Sequence, residues 1–533
     1  MADVPSNTTR HVAGATGIMM ASILASRLLG LVRDAVISHQ LGQKYAADVY
    51  KGAFQIPDLL FFLIAGGALS SAFIPVFTSC IAEGREDDAW NLFSAVATIM
   101  FVVVGAFVVF GEVFTAPLMH LVNPGFPPAK VAATVPLTRI VLPAQVCFFI
   151  GGLLMGCQFA RGKFLIPSLG PIVYNIGIIM GGLVLYRWLG LPGFCWGALG
   201  GAVAGNFFLQ IWGAKRVGMR FRISFAGRRP DVVRVWKLML PVVLGVALPQ
   251  VSIWINRAFA GVLGDGPMAA LDNANRIMQV PLGIFAQAMA VAVFPTLSAL
   301  AATGRLAEMR DTSSGSLRSL LFLTIPSSVY LILMATPIVQ LLLQHGKFHA
   351  DDTALASVAL GFYGIGIFAW SAQSILSRSF YALQDTVTPV LIGTGVTLVF
   401  VPMNWLFMNT LAMGIRGLAL ATTVAAILHA VVMLWVLRRR LGGFDGRRLA
   451  LSVARVLAAS AAGGVACWGA RSGVDWVLGA AVGGTLHVKA VAAIELLAGA
   501  AAGGLVYVGA CVLLRAQELR EAVGLLRRRA RPA

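Results

Sequence analysis

Long apolar runs follow one another along almost the whole chain, and polar residues fall mainly between the runs rather than at every third or fourth position within them. A helix with one wet face would show that shorter polar period. A run of about 20 apolar residues is long enough to cross the hydrocarbon layer of a bilayer as helix. Fourteen such runs are read, at 12–38, 48–82, 92–121, 133–160, 166–187, 194–215, 232–263, 269–301, 315–344, 353–381, 387–411, 414–437, 449–470 and 488–514. Several exceed the minimum and imply tilt, kinks or extension beyond the bilayer. The strict period of two that a membrane β-barrel requires does not appear in the sequence. The expected fold is an all-α polytopic membrane protein of about 14 transmembrane helices.

Composition agrees: 58% of the 533 residues are hydrophobic and only 12% charged, with a mean hydropathy of +0.83, which excludes a soluble domain. Basic residues gather in every second connection. Lys215, Arg216, Arg220, Arg222, Arg228 and Arg229 follow the sixth run, and Arg305 and Arg310 the eighth. Arg438, Arg439, Arg440, Arg447 and Arg448 follow the twelfth, and more arginines follow Arg520 in the tail. The alternate connections hold roughly one each, among them Lys130, Arg416 and Arg471. The positive-inside rule then places both termini in the cytoplasm. The net charge of +19 is spread over loops facing anionic lipid, so no nucleic-acid partner is expected. Six cysteines without metal-ligand spacing read as small core residues, and no phosphate-binding loop of the GxxxxGK[ST] kind is present. Arg10 alone is a poor basic region for a signal peptide, so the first run reads as a retained helix. The acidic clusters Glu86–Asp88 and Asp351–Asp352 fall at helix starts on opposite sides of the membrane, where helix capping explains them better than a shared metal. No cofactor or metal is expected, and a membrane-embedded enzyme or a scaffold is the alternative class.

The chain matches itself. "DVYKGAFQIPDL" from Asp48 and "DNANRIMQVPLG" from Asp272 share Asp, Gln, a β-branched residue and Pro at an offset of 224. Pro75 and Pro295 echo one another, as do Pro167 and Pro389. Runs one to six and seven to twelve thus read as two six-helix lobes, 1–222 and 223–440, with 441–533 holding helices thirteen and fourteen and the basic tail. Two copies in the same orientation, with a central site between lobes, is a transporter plan. Pro57 and Pro281 each remove a backbone hydrogen bond mid-helix and are expected to permit kinks at equivalent places. The glycine pairs Gly463-Gly464 and Gly503-Gly504 suit close approach of the last two helices.

Charges inside the runs carry the functional signal. An arginine at the centre of a span costs about 2.5 to 3.5 kcal/mol on insertion scales, so Arg27 and Arg33 require something polar to face. Arg27 and Asp34, seven apart, share a helix face. Asp48 and Lys51 start the second run, Asn256 and Arg257 stand midway along the seventh, and Asn275 and Arg276 lie in the eighth. The ionisable groups therefore gather in runs one, two, seven and eight, where two lobes would meet. A hydrated cationic cavity for an anionic head group is the expectation, with guanidinium forks matching phosphate oxygens. Arg33 and Asp34 have the alternative of pairing with each other, and Asp48 and Arg257 that of an interlobe salt bridge.

"ASRLLGLVRDAVIS", "ADVYKGAFQIPDLLFFLIAGGALSSAFIPVF", "GKFLIPSLGPIVYN", "NRIMQVPLGIFAQAMAVAVFPTLS" and "FYALQDTVTPV" resemble, in order and spacing, the MurJ (MviN) family of lipid II flippases, within the multidrug/oligosaccharidyl-lipid/polysaccharide exporter superfamily. The resemblance implies two six-helix lobes around a V-shaped cavity and a groove from helices thirteen and fourteen for an isoprenoid tail. It implies translocation of the undecaprenyl-pyrophosphate-linked peptidoglycan precursor, lipid II, across the bacterial cytoplasmic (inner) membrane by alternating access. Arg27, Arg33, Asp48 and Arg276 match residues that line the cavity in relatives, and Asn275 and Arg257 complete the candidate substrate-binding set. Where some members carry a basic pair and a glutamate in helix two, this chain has Phe61, Phe62 and Gly66, and Asn275 stands where an aspartate precedes the helix-eight arginine. Membrane lipids are expected partners, a coupling cation is left open, and the expected state is a monomer. Export of a different polyprenyl-linked oligosaccharide is the near alternative.

Overall fold

A computed structural model describes residues 6–61, 68–478 and 485–520, with backbone alone at 6–21, 23–24, 68–71, 240–250 and 485–487. Phe62, Gly66 and the basic tail beyond Arg520 lie outside the described residues. The described chain is helical, as a backbone in lipid must be to satisfy its own N–H and C=O groups. In order the helices are α1 (Ser6–Leu41), α2 (Tyr45–Ala53), α3 (Gln55–Leu60), α4 (Ala68–Ala82), α5 (Glu86–Val113), α6 (Thr115–Val122), α7 (Pro128–Val141), α8 (Ala144–Ala160), α9 (Leu165–Met180), α10 (Tyr186–Leu189) and α11 (Leu191–Ala202). They continue with α12 (Leu209–Arg216), α13 (Pro230–Val262), α14 (Pro267–Pro281), α15 (Ala288–Ala302), α16 (Leu306–Leu333), α17 (Ala335–Leu343), α18 (Ala350–Ala382), α19 (Val387–Trp405), α20 (Ile415–Arg440), α21 (Gly446–Leu478) and α22 (Thr485–Leu513). Among the described residues, eleven helical stretches are long and apolar enough to cross a membrane. The expected runs 12–38, 48–82 and 232–263 each include residues described as backbone alone or not described.

Proline divides three of the expected runs. The second run breaks at Phe54, three residues before Pro57, the third at Phe114, three before Pro117, and the ninth at Met334, three before Pro337. In each case the proline has no N–H for the carbonyl four residues back, so the helix stops and restarts. The kink expected at Pro281 takes another form: α14 ends there and a π-helical turn, Leu282–Gln287, carries the chain into α15.

The chain packs as two compact units, Met1–Gly266 and Pro267–Ala533. Within the first, α9 packs on α1 and α11, α2 on α7, and α4 on α8 and α13. Phe73, Phe77, Trp90 and Phe93 form an aromatic core between α4 and α5, with Phe73 and Phe77 stacked at 5.1 Å. Within the second, α18 packs on α14, α16 and α20, and α21 lies along α22 and α16. Helix α13, which begins the second sequence copy, packs in the first unit.

The backbone path of one unit recurs in the other. Arg85 (φ −89°, ψ 61°) and Arg305 (φ −80°, ψ 59°) precede α5 and α16, and the breaks at Phe114 (φ −99°, ψ 21°) and Met334 (φ −101°, ψ 13°) follow those helices. Gly190 (φ 64°, ψ −138°) and Gly414 (φ 55°, ψ −128°) enter α11 and α20 at the same offset of 224 that relates Asp48 to Asp272. Gly162 (φ 68°) is matched by Gln384 (φ 58°), a left-handed turn kept in the second copy without glycine. Even the π-helical turns pair, Gly181–Leu185 with Leu406–Thr410. These shared turns favour the internal repeat over a chance recurrence of prolines.

Candidate functional site

The candidate residues divide between the two units. In the first unit, α1 presents Arg27 as an exposed side chain, seated in a helix whose neighbour on this side is α9. Arg33, two turns further on, is held on three sides. Its Nε and one terminal nitrogen donate to Asp34 Oδ1, each at 3.0 Å, and its other terminal nitrogen donates to Asn175 Oδ1 at 3.0 Å. Asn175 on α9 donates in turn to the Pro171 carbonyl at 3.0 Å and reaches back to Ser26 on α1 at 3.4 Å. The side chains of Arg33 and Asp34 keep 17% and 13% of their accessibility, so the pair is partly wet. An arginine half neutralised by its neighbour and fixed by an amide costs less in lipid than a bare one and retains a fixed position for an anion. Asp34 therefore serves Arg33 next to it, although by spacing alone it shares a face with Arg27.

Asp48 does not line an open wall. No part of its side chain is exposed, and its Oδ2 accepts Lys130 Nζ at 2.9 Å and the Gly266 N–H at 2.8 Å. Lys130, counted in the sequence as a lone basic residue in a connection, sits inside α7 with its side chain 2% exposed. It also donates to Asp265 Oδ1 at 2.9 Å and lies over the Phe126 ring at 4.5 Å. The signal that a sequence reading could have used is the Pro-Pro pair at 127–128, which starts a helix immediately before Lys130 and carries the lysine into the apolar run. Arg257 on α13 approaches Asp58 of α3 at 3.9 Å, with 12% of its side chain exposed. By the offset of 224 it is the repeat partner of Arg33, so the two copies keep an arginine at one register and pair it with different carboxylates.

In the second unit, α14 carries Asp272 and Asn273 on its buried side and Asn275 and Arg276 on a half-buried one. Asn275 Oδ1 accepts Gln279 Nε2 at 3.3 Å, one turn along the same helix. Of the two acidic clusters, one caps its helix as expected, His349 and Asp352 forming a capping box on α18; at the start of α5 no side chain caps the helix, and Glu86 pairs with Arg161 and Asp87 with Arg220, the latter at 2.7 Å. Among the described residues no cluster of three or more potential metal ligands occurs.

The second unit also holds an apolar groove of about 460 Å³, walled by α14, α16, α21 and α22 and lined by Pro281, Phe285, Pro326, Gly464, Gly499 and Gly503 among others. Glycine makes it possible: a Cβ on Gly463 would lie 2.8 Å from the Gly503 carbonyl, so α21 and α22 close to backbone contact as the sequence predicts. Hydrogen bonds brace its walls, from Tyr507 to the Phe322 carbonyl at 2.6 Å and from Tyr330 to the Leu496 carbonyl at 2.9 Å. At the far end Arg471 donates to the Leu333 carbonyl at 2.7 Å, capping the helix end freed at the Met334 break, and faces Glu495 at 3.5 Å.

Against known proteins, the family profile described as lipid II flippase MurJ matches residues 37–485. A lipid II flippase MurJ of Burkholderia cenocepacia is 31% identical over 430 residues, covering 78% of this chain and 82% of that one. A probable lipid II flippase MurJ of Bdellovibrio bacteriovorus is 28% identical over 428 residues, covering 79% and 81%. Among solved structures, a lipid II flippase MurJ in an inward closed conformation aligns over 95% of this chain and 99% of that chain, with a TM-score of 0.75 and 23% identity. An inward-facing MATE family transporter aligns with a TM-score of 0.66 at 15% identity, covering 79% of this chain and 96% of that one.

Proposed function

The chain belongs to the lipid II flippase MurJ family, and from that premise we propose how its own residues move lipid II from the cytoplasmic to the outer leaflet. It is a multi-pass membrane transporter rather than an enzyme, and lipid II is its substrate. The observation that carries this is the family match over 37–485, which begins near the end of α1, after Arg27 and Arg33, and takes in α2 with Asp48 and α14 with Arg276. We place the protein in the bacterial inner membrane with both termini cytoplasmic, on the basic connections that follow α12, α15 and α20.

In this reading Arg27, Arg33 and Arg276 engage the diphosphate with guanidinium forks that match its oxygens. Arg33 arrives preset by Asp34 and Asn175, and Arg27 is the exposed and adaptable member. Arg257 and Asn275 complete the proposed set, and Asp48 contributes through its lysine rather than by touching substrate. The groove between α16, α21 and α22 suits the isoprenoid tail. Lipid is as apolar as the groove, so it gains no hydrophobic driving force by entering and is held by packing alone. The groove therefore guides the tail while the arginines hold the head. Translocating an anionic head group outward runs downhill in an inside-negative membrane, by about 2.3 kcal/mol per charge per 100 mV when the charge crosses the full field. In this reading the membrane potential supplies the driving force, with or without a coupled cation, and the working unit is a monomer.

Complementation tests the assignment. In a strain depleted of its own lipid II flippase the unmutated chain restores growth, whereas Arg27→Ala and Arg276→Ala, inserted at equal level, do not. Failure of the unmutated chain to rescue despite correct insertion overturns it.

A further inference from the structure

Three segments meet at the end of the first unit away from the basic connections: the start of α2, the start of α7, and the four-residue link 263–266 between α13 and α14. Lys130 stands at their centre, bonded to Asp48 on α2 and to Asp265 on the link, and Asp48 also accepts the Gly266 N–H. The two carboxylates are not alike. Asp48 is wholly buried, whereas the Asp265 side chain is 51% exposed. Separating Lys130 from Asp48 breaks an ion pair buried away from water, which is strongly unfavourable. Separating it from Asp265 returns a carboxylate to solvent, which costs little. The cluster thus has a permanent half and a releasable half. The link is shaped for this: Gly264 (φ 98°) and Gly266 (φ 107°) are both left-handed, and the turn they make aims the Gly266 amide at Asp48.

We propose that Lys130, with Asp48 as its fixed counter-ion, is a positioning residue that latches the 263–266 link onto α2 and α7, and that the latch opens at the step that lets the head group leave on the outer side. The link leads directly into α14, which carries Asn275 and Arg276, so its release frees the start of that helix. This rests on the flippase reading for the identity of the step, but the bonds that make the latch stand independently of it. The latch assigns Asp48 a role through Lys130 in place of contact with substrate.

The test joins the link to α2 covalently. In flippase-depleted cells the Tyr45→Cys/Leu263→Cys protein, which keeps Asp48, Lys130 and Asp265, supports growth until a short bismaleimide is added; then growth and outward appearance of lipid II stop, while each single-cysteine protein is unaffected by the reagent. Continued export by the crosslinked protein shows that the segments never separate and overturns the latch. Failure of the unmutated chain to rescue growth counts against the flippase reading instead. Hydrogen exchange on purified full-length protein is read in parallel over 263–268. Lys130→Met speeds exchange at the Gly266 amide at least tenfold and Lys130→Arg restores it, and equal exchange in all three proteins overturns the proposal even where the cysteine variant does not fold.

Discussion

Removing Lys130 alone and removing it together with its counter-ion should have opposite consequences. Lys130→Met removes the ammonium 2.9 Å from the wholly buried Asp48. Breaking one side of a buried ion pair costs about 3 to 5 kcal/mol, while replacing both charges with neutral groups of similar size is close to neutral. In Asp48→Asn/Lys130→Met the asparagine oxygen still accepts the Gly266 amide, methionine fills the space over Phe126, and Asp265 turns to water. For a folding unit of roughly 150 to 250 residues each kcal/mol moves the melting midpoint by about 2 to 4 °C. Lys130→Met should therefore melt about 6 to 20 °C below the unmutated protein in detergent, and the double variant within a few degrees of it. Matched melting curves decide this. If the double variant loses as much as the two single variants added together, the charges are not coupled and the geometry does not describe the folded protein's energetics.

Asn175→Leu should leave insertion intact but unfix Arg33 from α9, weakening rescue at low expression more than at high expression in a graded complementation assay. Gly463→Leu should force α21 away from the Gly503 carbonyl and fill the groove, lowering both the melting midpoint and the crosslinking of a photoreactive isoprenoid to the second unit. Asp385, outside the spans, is opposed by burial, but hydrogen bonds from Thr388 and Val387 and the nearby Arg440 outweigh it and hold its carboxyl below the usual range. Its contribution, about 1 kcal/mol for a carboxylate capping a helix start, is present above the ordinary carboxylate pKa and lost as pH falls through the lowered one. The melting difference between the unmutated protein and Asp385→Asn should be constant from neutral pH down to about 4 and vanish only below it; a difference that grows on acidification contradicts this.

The all-helical, multi-span fold was legible because lipid imposes a simple rule on backbone and composition. Helix breaks were less so. Pro57, Pro117 and Pro337 stop their helices, whereas Pro75, Pro136, Pro295 and Pro326 sit within helices that continue, and nothing in the local sequence separates the two groups. Which charge pairs with which was also hidden. Arg33 finds Asn175, and Lys130 finds Asp48, across separations of 142 and 82 residues that periodicity within one helix does not reach. Arg257 shows the same limit: its register repeats that of Arg33, but its partner, Asp58, does not repeat Asp34.

Arginine-dependent, potential-driven passage of lipid II is measured directly as appearance of lipid II on the far leaflet of vesicles holding the purified chain under an imposed diffusion potential. Transport should be fast when the potential draws the anionic head group across, slow when the potential is reversed, and lost in both Arg27→Ala and Arg276→Ala. Equal rates at either sign of the potential, or undiminished rates in the two variants, would contradict it.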